Sequence, residues 1–180
     1  MLMLSLHLQV STIFRVTGDN PFTCPIIMKR MLYLMNRHNL DYIRVLGLPF
    51  GVSAELYSVK YLWRLYLSLT DTYSSEYLTW FVLKDETVKR GVIHAESKFQ
   101  QDIELVNLSI DYKEDYEQCC DIANKLGSAY TLSELLTVCN EYPRVDPYKQ
   151  IKLPGERILL SAYLAKHRSS TVEYAETYQV

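Results

Sequence analysis

A hydrophobic run, Ile13-Phe14-Arg15-Val16, stops abruptly at Thr17-Gly18-Asp19-Asn20-Pro21-Phe22, and a helical pattern follows it. Branched and aromatic residues favour a pleated, half-buried strand. Gly18 and Pro21 end that strand. An acid, Asp19, therefore sits where a strand finishes, and open α/β sheets collect their ligands at the carboxyl ends of strands.

The rest of the chain alternates strands with helices. Thr23-Cys24-Pro25 opens a helix with proline in its first turn. Ile27, Met31, Leu34 and Met35 then fall on one face, and Asn39 stops it. Asp41–Val45 reads as a strand, Gly47–Gly51 as a loop and Ser53–Tyr57 as a short strand. Ser58 caps a helix whose apolar stripe is Val59, Leu62, Trp63, Tyr66 and Leu67. A polar link, Thr70–Ser75, leads to a further helix in which Tyr77, Trp80 and Phe81 share a side. Gly91–Glu96 and Leu105–Ile110 read as strands, the second ending at Asp111. The helix after it turns Tyr116, Cys119, Cys120, Ala123 and Leu126 inward and closes at Gly127. Thr131 and Glu134 form a capping box for one more helix. Three prolines interrupt Tyr142–Gly155, a helix is expected over Arg157–His167, and the end of the chain reads as a frayed polar tail. At the other end, Leu2, Leu4, Leu6, Leu8 and Val10 alternate with mostly polar partners, a strand-like period. Such alternation predicts βαβ units, a mostly parallel sheet and three layers.

Composition narrows the function. Charged residues make up 22% of the chain and net charge is −2, so nothing marks a bulk nucleic-acid binder or an anionic-membrane binder. The first ten residues carry no basic segment or cleavage site, and they are too short to span a bilayer. Four cysteines, none in a CxxC pair, read as buried free thiols of a reducing, cytoplasmic compartment. His94 has no partner at ligand spacing and reads as structural.

Two expected strand ends carry an acid, Asp19 and Asp111. Their carboxylates converging at one rim would suit Mg²⁺, which takes one or two protein carboxylates and completes its shell with phosphate oxygens and water. The alternative is that both are turn and helix-cap acids, a standard use of aspartate. Arg15 is a candidate phosphate contact, whereas Lys29 and Arg30 fit a solvated helix face. Glu55 reads either as a contact for a sugar hydroxyl or as a strand-edge acid.

Read together, these stretches resemble a family. Arg15-Val-Thr-Gly-Asp19-Asn-Pro21 resembles the Arg-x-Thr-x-Asp-x-Pro segment of the spore-coat polysaccharide cytidylyltransferases, which are similar to CMP-sugar-acid synthetases. Gly51-Val-Ser-Ala-Glu55-Leu-Tyr-Ser58 resembles their Gly-x-x-x-Glu-x-x-Ser segment. Ser75-Glu76-Tyr77-Leu78-Thr79 resembles their Glu-His-Val-Thr stretch, with tyrosine in place of histidine. Asp111-Tyr-Lys-Glu-Asp115 resembles their Asp-Thr-Pro-Glu-Asp turn.

The resemblance implies a Rossmann-like three-layer fold of the nucleotide-diphospho-sugar transferase (glycosyltransferase-A) type. It implies attack of a sugar or sugar acid on the α-phosphate of CTP, with Asp19 and Asp111 as Mg²⁺ ligands. Asp19 and Arg15 would be catalytic, and Asn20, Glu55 and Glu76 would bind substrate. The Gly-rich opening loop of that family has no counterpart, since the chain contains no GxG. A partial, N-terminally truncated domain over residues 1–142 is therefore expected, with residues 143–180 as linker, helix and tail. Its open sheet edge invites a homodimer or a completing chain. The competing expectation is a module that binds sugar or dimerises without transferring a nucleotide.

Overall fold

The helix after Pro25 forms where the pattern places it. In this computed structural model, which describes residues 1–69, 78–96, 102–145 and 174–179, it runs Pro25–His38. It is the second helix, α2; the first, α1, is Leu2–His7. Pro25 costs α2 nothing, because the first N–H groups of a helix have no internal partner. Asn39 closes it in the left-handed conformation, with φ +50°. Ile27, Met31, Leu34 and Met35 are all buried. Each such side chain contributes about 1.5–3 kcal/mol on leaving water.

That face packs on a mixed five-stranded sheet. The strands are β1 (Thr12–Arg15), β2 (Tyr42–Leu46), β3 (Glu55–Ser58), β4 (Arg90–Glu96) and β5 (Tyr174–Gln179), in the order β1-β3-β2-β4-β5. β3 is antiparallel to both β1 and β2, while β2–β4 and β4–β5 are parallel. A mostly parallel sheet was the expectation. The reversal of β3 makes it mixed, yet β1, β2, β4 and β5 still run one way and share a carboxyl rim.

Alternation along the strands divides the core. Phe14, Ile43, Val45, Leu56, Ile93 and Ala95 face α2, α5 (Lys113–Leu126) and α6 (Leu132–Cys139). Ile13, Tyr42 and Tyr57 face α3 (Val59–Ser68) and α4 (Leu78–Lys84). Helices thus cover both faces, giving the three expected layers. Among the described residues no helix is long and apolar enough to cross a membrane.

Five local expectations change. Residues 2–7 form a helix rather than a strand, because Leu and Met are strong helix formers and tertiary contact selects the helix. Leu2 packs toward the α3 side, while Met3, Leu4 and Leu6 stay exposed. On α3 the buried set is Val59, Tyr61, Leu62 and Leu65; Tyr66 and Leu67 are exposed. On α5 only Cys119 and Ile122 are buried, with Tyr116 exposed. Leu105–Ile110 is not a sheet strand. It follows a 3₁₀ turn, Ile103–Leu105, and makes one isolated bridge, Phe50 to Asn107. Finally, the expected frayed tail contains β5. Arg30 of α2 anchors it by a two-pronged ion pair with Glu176, and Tyr178 packs on the core. Ser75, Glu76, Tyr77 and the expected helix at Arg157–His167 lie outside the described residues.

Candidate active site at the carboxyl rim

β1 ends at Arg15, and the chain turns through Thr17–Asn20. The Asn20 N–H donates to the Thr17 carbonyl at 3.2 Å, and Asn20 Nδ2 donates to Thr17 Oγ1 at 2.7 Å. Pro21 prevents the strand from continuing. Asp19 is presented at the tip of this turn.

The segment before Asp111 is laid across two loops rather than into the sheet. Phe50 N–H donates to Val106 O at 3.0 Å, and Leu108 N–H donates to Phe50 O at 2.8 Å. Ile110 N–H then donates to Asp19 O at 2.9 Å. This last bond sets Asp111 beside Asp19. Asp115 fixes the backbone of Asp111 in turn, since its Oδ2 accepts the Asp111 N–H at 3.1 Å and the Tyr112 N–H at 2.9 Å. Its Oδ1 accepts from Asn107 Nδ2 at 3.2 Å. The Asp-x-x-x-Asp spacing is therefore a capping device at the start of α5 that aims one acid with another.

Gly51 lets the three strands of chain meet. Its φ is +92°, and a Cβ there would lie 2.8 Å from the Leu108 carbonyl and 2.9 Å from Asn20 Oδ1. Only glycine adopts that backbone at so short an approach without strain.

The two acids differ electrically. Burial pushes the Asp19 carboxyl up, but the Thr17 and Ser109 hydroxyls, its own backbone and Arg15 outweigh it and hold the group below its ordinary range. Ser109 Oγ donates to Asp19 Oδ2 at 3.1 Å, while Asp19 Oδ1 is buried without a hydrogen-bond partner. Asn20 Oδ1 is also buried and unpartnered. Asp111 is pushed the other way, first by burial and then by the negative charges of Asp19 and Asp115. Two carboxylates in mutual repulsion, one with an unsatisfied oxygen, form an acceptor-rich spot that a cation would relieve. Among the described residues no group of three or more His, Cys, Asp or Glu could hold a metal by itself. The set fits an ion that completes its shell with ligand oxygens and water, not one held in a protein cage.

The remaining candidates form a second cluster, whose Arg15 acts on Asp19 through its charge. Arg15 and Glu55 are cross-strand partners of β1 and β3, and Arg15 Nη1 donates to Glu55 Oε2 at 2.9 Å. Glu55 Oε1 also accepts from the Tyr42 hydroxyl at 3.1 Å and from Thr79 Oγ1. Burial, followed by the Glu55 charge, pushes the Tyr42 phenol well above its ordinary value. The structure thus brings Asp19, Asn20 and Asp111 together and links Arg15 to Glu55; Glu76 lies outside the described residues. Ser109, Asn107 and Tyr42 had no signal in the sequence, because only the fold sets them against Asp19, Asp115 and Glu55.

No protein-family model matches the chain. Bacillus subtilis spore coat polysaccharide biosynthesis protein SpsF is 30% identical over 138 residues, covering 74% of this chain and 56% of that protein. An uncharacterized Methanocaldococcus jannaschii protein, MJ1063, is 27% identical over 106 residues, 58% of this chain and 43% of its own length. The chain spans about half the length of these curated relatives. A solved cytidylyltransferase from Leptospira borgpetersenii serovar Hardjo-bovis superposes with a TM-score of 0.68 at 21% identity, covering 84% of this chain and 65% of the other. The resemblance carried by the sequence motifs is borne out: the chain is homologous to the spore coat polysaccharide biosynthesis protein SpsF and has the Rossmann-like nucleotidyltransferase fold.

Proposed function

We propose that the chain takes part in cytidylyl transfer, with a sugar or sugar acid attacking the α-phosphate of CTP and releasing pyrophosphate. The observation that carries this reading is the pairing of Asp19 with Asp111, in which Asp19 Oδ1 is buried and unsatisfied. Similarity to a spore coat polysaccharide biosynthesis protein supports it.

Asp19 and Asp111 would hold Mg²⁺, the ion that their acceptor-rich, partly unsatisfied carboxylates fit. Such an ion, when bound, neutralises charge on the phosphate under attack. Ser109 holds Asp19 ionised and oriented, and Asp115 holds the backbone of Asp111. Asn20, buttressed by Thr17 and Gly51, would orient the substrate beside the acids. Glu55 and Glu76 would serve the sugar side, and Arg15, adjacent to Asp19, would contribute positive charge toward the phosphates.

The test is calorimetry with CTP and Mg²⁺, followed by pyrophosphate release with a panel of sugars and sugar acids. Mg²⁺-dependent CTP binding and release with at least one acceptor are expected. A chain that binds neither CTP nor any acceptor defeats the proposal. The second reading, a module that binds sugar without transfer, is favoured by the Arg15–Glu55–Tyr42–Thr79 cluster, in which the arginine is already paired. It predicts sugar binding with no Mg²⁺-dependent CTP binding.

A further inference from the structure

The opposite rim of the sheet, where β1, β2 and β4 begin and β3 ends, holds a cleft of about 350 Å³. Its size falls at the lower end of the roughly 300–1,000 Å³ range of small-molecule sites. Its lining is polar and cationic, unlike the apolar pockets that dominate that range: Lys60, Arg64 and Lys89 face it against a single acid, Asp41, with Asn36 and Asn39 alongside. This occurs in a chain whose net charge is −2.

Asp41 does not neutralise the cluster. Its Oδ1 accepts from Ser58 Oγ at 3.2 Å, and its Oδ2 accepts from Arg64 Nη2 at 3.2 Å and from the Lys89 N–H at 3.3 Å. Arg64 meets the Asp41 charge; its guanidinium also lies over the Tyr61 ring at 5.2 Å and acts on the Asp85 carboxylate, so Lys60 and Lys89 are the cations of the lining that these two acids leave over. Among the described residues the Lys60 and Lys89 ammonium groups make no ion pair. Lys60 stands in the first turn of α3, which contains no acid. A cation there opposes the helix dipole, so the local charge pattern is unfavourable until an anion arrives.

We propose that this cleft binds a phosphate monoester of a small polar metabolite. Lys60, in the first turn of α3, and Lys89, just before β4, line the same cleft, and their two ammonium groups match a dianionic phosphate. The Asn36 and Asn39 amides supply donors and acceptors for the hydroxyls of the ester. The site lies at the opposite rim from Asp19 and stands independently of the transfer reaction proposed above.

Amide NMR titrations with inorganic phosphate, glucose 6-phosphate and glucose test it at matched ionic strength. Glucose 6-phosphate is expected to shift the amides of Asn39, Ser58, Lys60 and Lys89 and to bind more tightly than phosphate, whereas glucose leaves them unmoved. Lys60→Gln with Lys89→Gln should weaken binding tenfold or more, and each single variant several-fold. Both lysines are exposed, so the fold tolerates these changes. Asp19→Asn should leave the titration unchanged. Shifts that chloride reproduces, glucose 6-phosphate binding no tighter than phosphate, or full binding by the double variant would each overturn the proposal.

Discussion

Asp19 carries the chemistry proposed here, and its surroundings make it vulnerable. Asp19→Asn keeps the shape but removes the charge. Pyrophosphate release should fall about 100-fold or more, while the urea midpoint shifts little, a split that steady-state rates and denaturation measured together will reveal. Gly51 governs the same spot from outside the chemistry. Gly51→Ala forces a Cβ against the Leu108 carbonyl at a φ of +92°. It should cost about 1–3 kcal/mol in urea unfolding and weaken ligand binding through displacement of Asn20. The sequence marks both residues, since an acid in the turn after a strand and a loop glycine are locally visible. It does not mark Ser109, whose hydroxyl reaches Asp19 across 90 positions.

At the scale of single elements, legibility follows the locality of the forces. The α2 face, the Asn39 stop and the Thr131 capping box all depend on neighbours within one or two turns, and all appear as read. In the capping box Glu134 Oε2 accepts the Thr131 N–H at 2.7 Å, and Thr131 Oγ1 accepts the Glu134 N–H at 3.2 Å. The Thr131 backbone and then its hydroxyl hold the Glu134 carboxyl below its ordinary value of 4.5. Its contribution is thus present above that value and lost as pH falls through the lowered one. Thr131→Ala should cost about 1 kcal/mol at neutral pH, and the gap from the parent should narrow under acid, as urea midpoints at several pH values will show. The α3 stripe and the segment before Asp111 depart from their local patterns for a shared reason. Which apolar residues turn inward, and whether an extended segment finds a strand or a loop beside it, depends on partners distant in sequence. Leu105–Ile110 has strand composition, but its neighbours are the loop at Phe50 and the turn at Asp19.

For the molecule as a whole, two hydrophobic layers on either face of one sheet define the fold, and the thiols report on one of them. Cys24, Cys119 and Cys139 are buried and unpaired, and Cys120 is half-buried. Burial pushes the Cys119 thiol up to about 11 and the Cys139 thiol up to about 12. Thiolate is the reactive form. Alkylation of the native protein at pH 8, followed by mass spectrometry, should therefore label Cys120 first and leave Cys119 and Cys139 until denaturant is added. Rapid labelling of all four in the native state would contradict this packing.

The sequence by itself determined the helices with strong periodicity, the caps, the strand that leads into the Asp19 turn and the order of motifs shared with the cytidylyltransferases, because each is encoded in residues close together along the chain. The tertiary structure alone decided the reversed direction of β3, the recruitment of Tyr174–Gln179 as β5 through Arg30 and Glu176, and the meeting of Asp19 with Asp111. Those outcomes depend on backbone hydrogen bonds and charge pairs between segments tens to more than a hundred residues apart, and no local pattern specifies them.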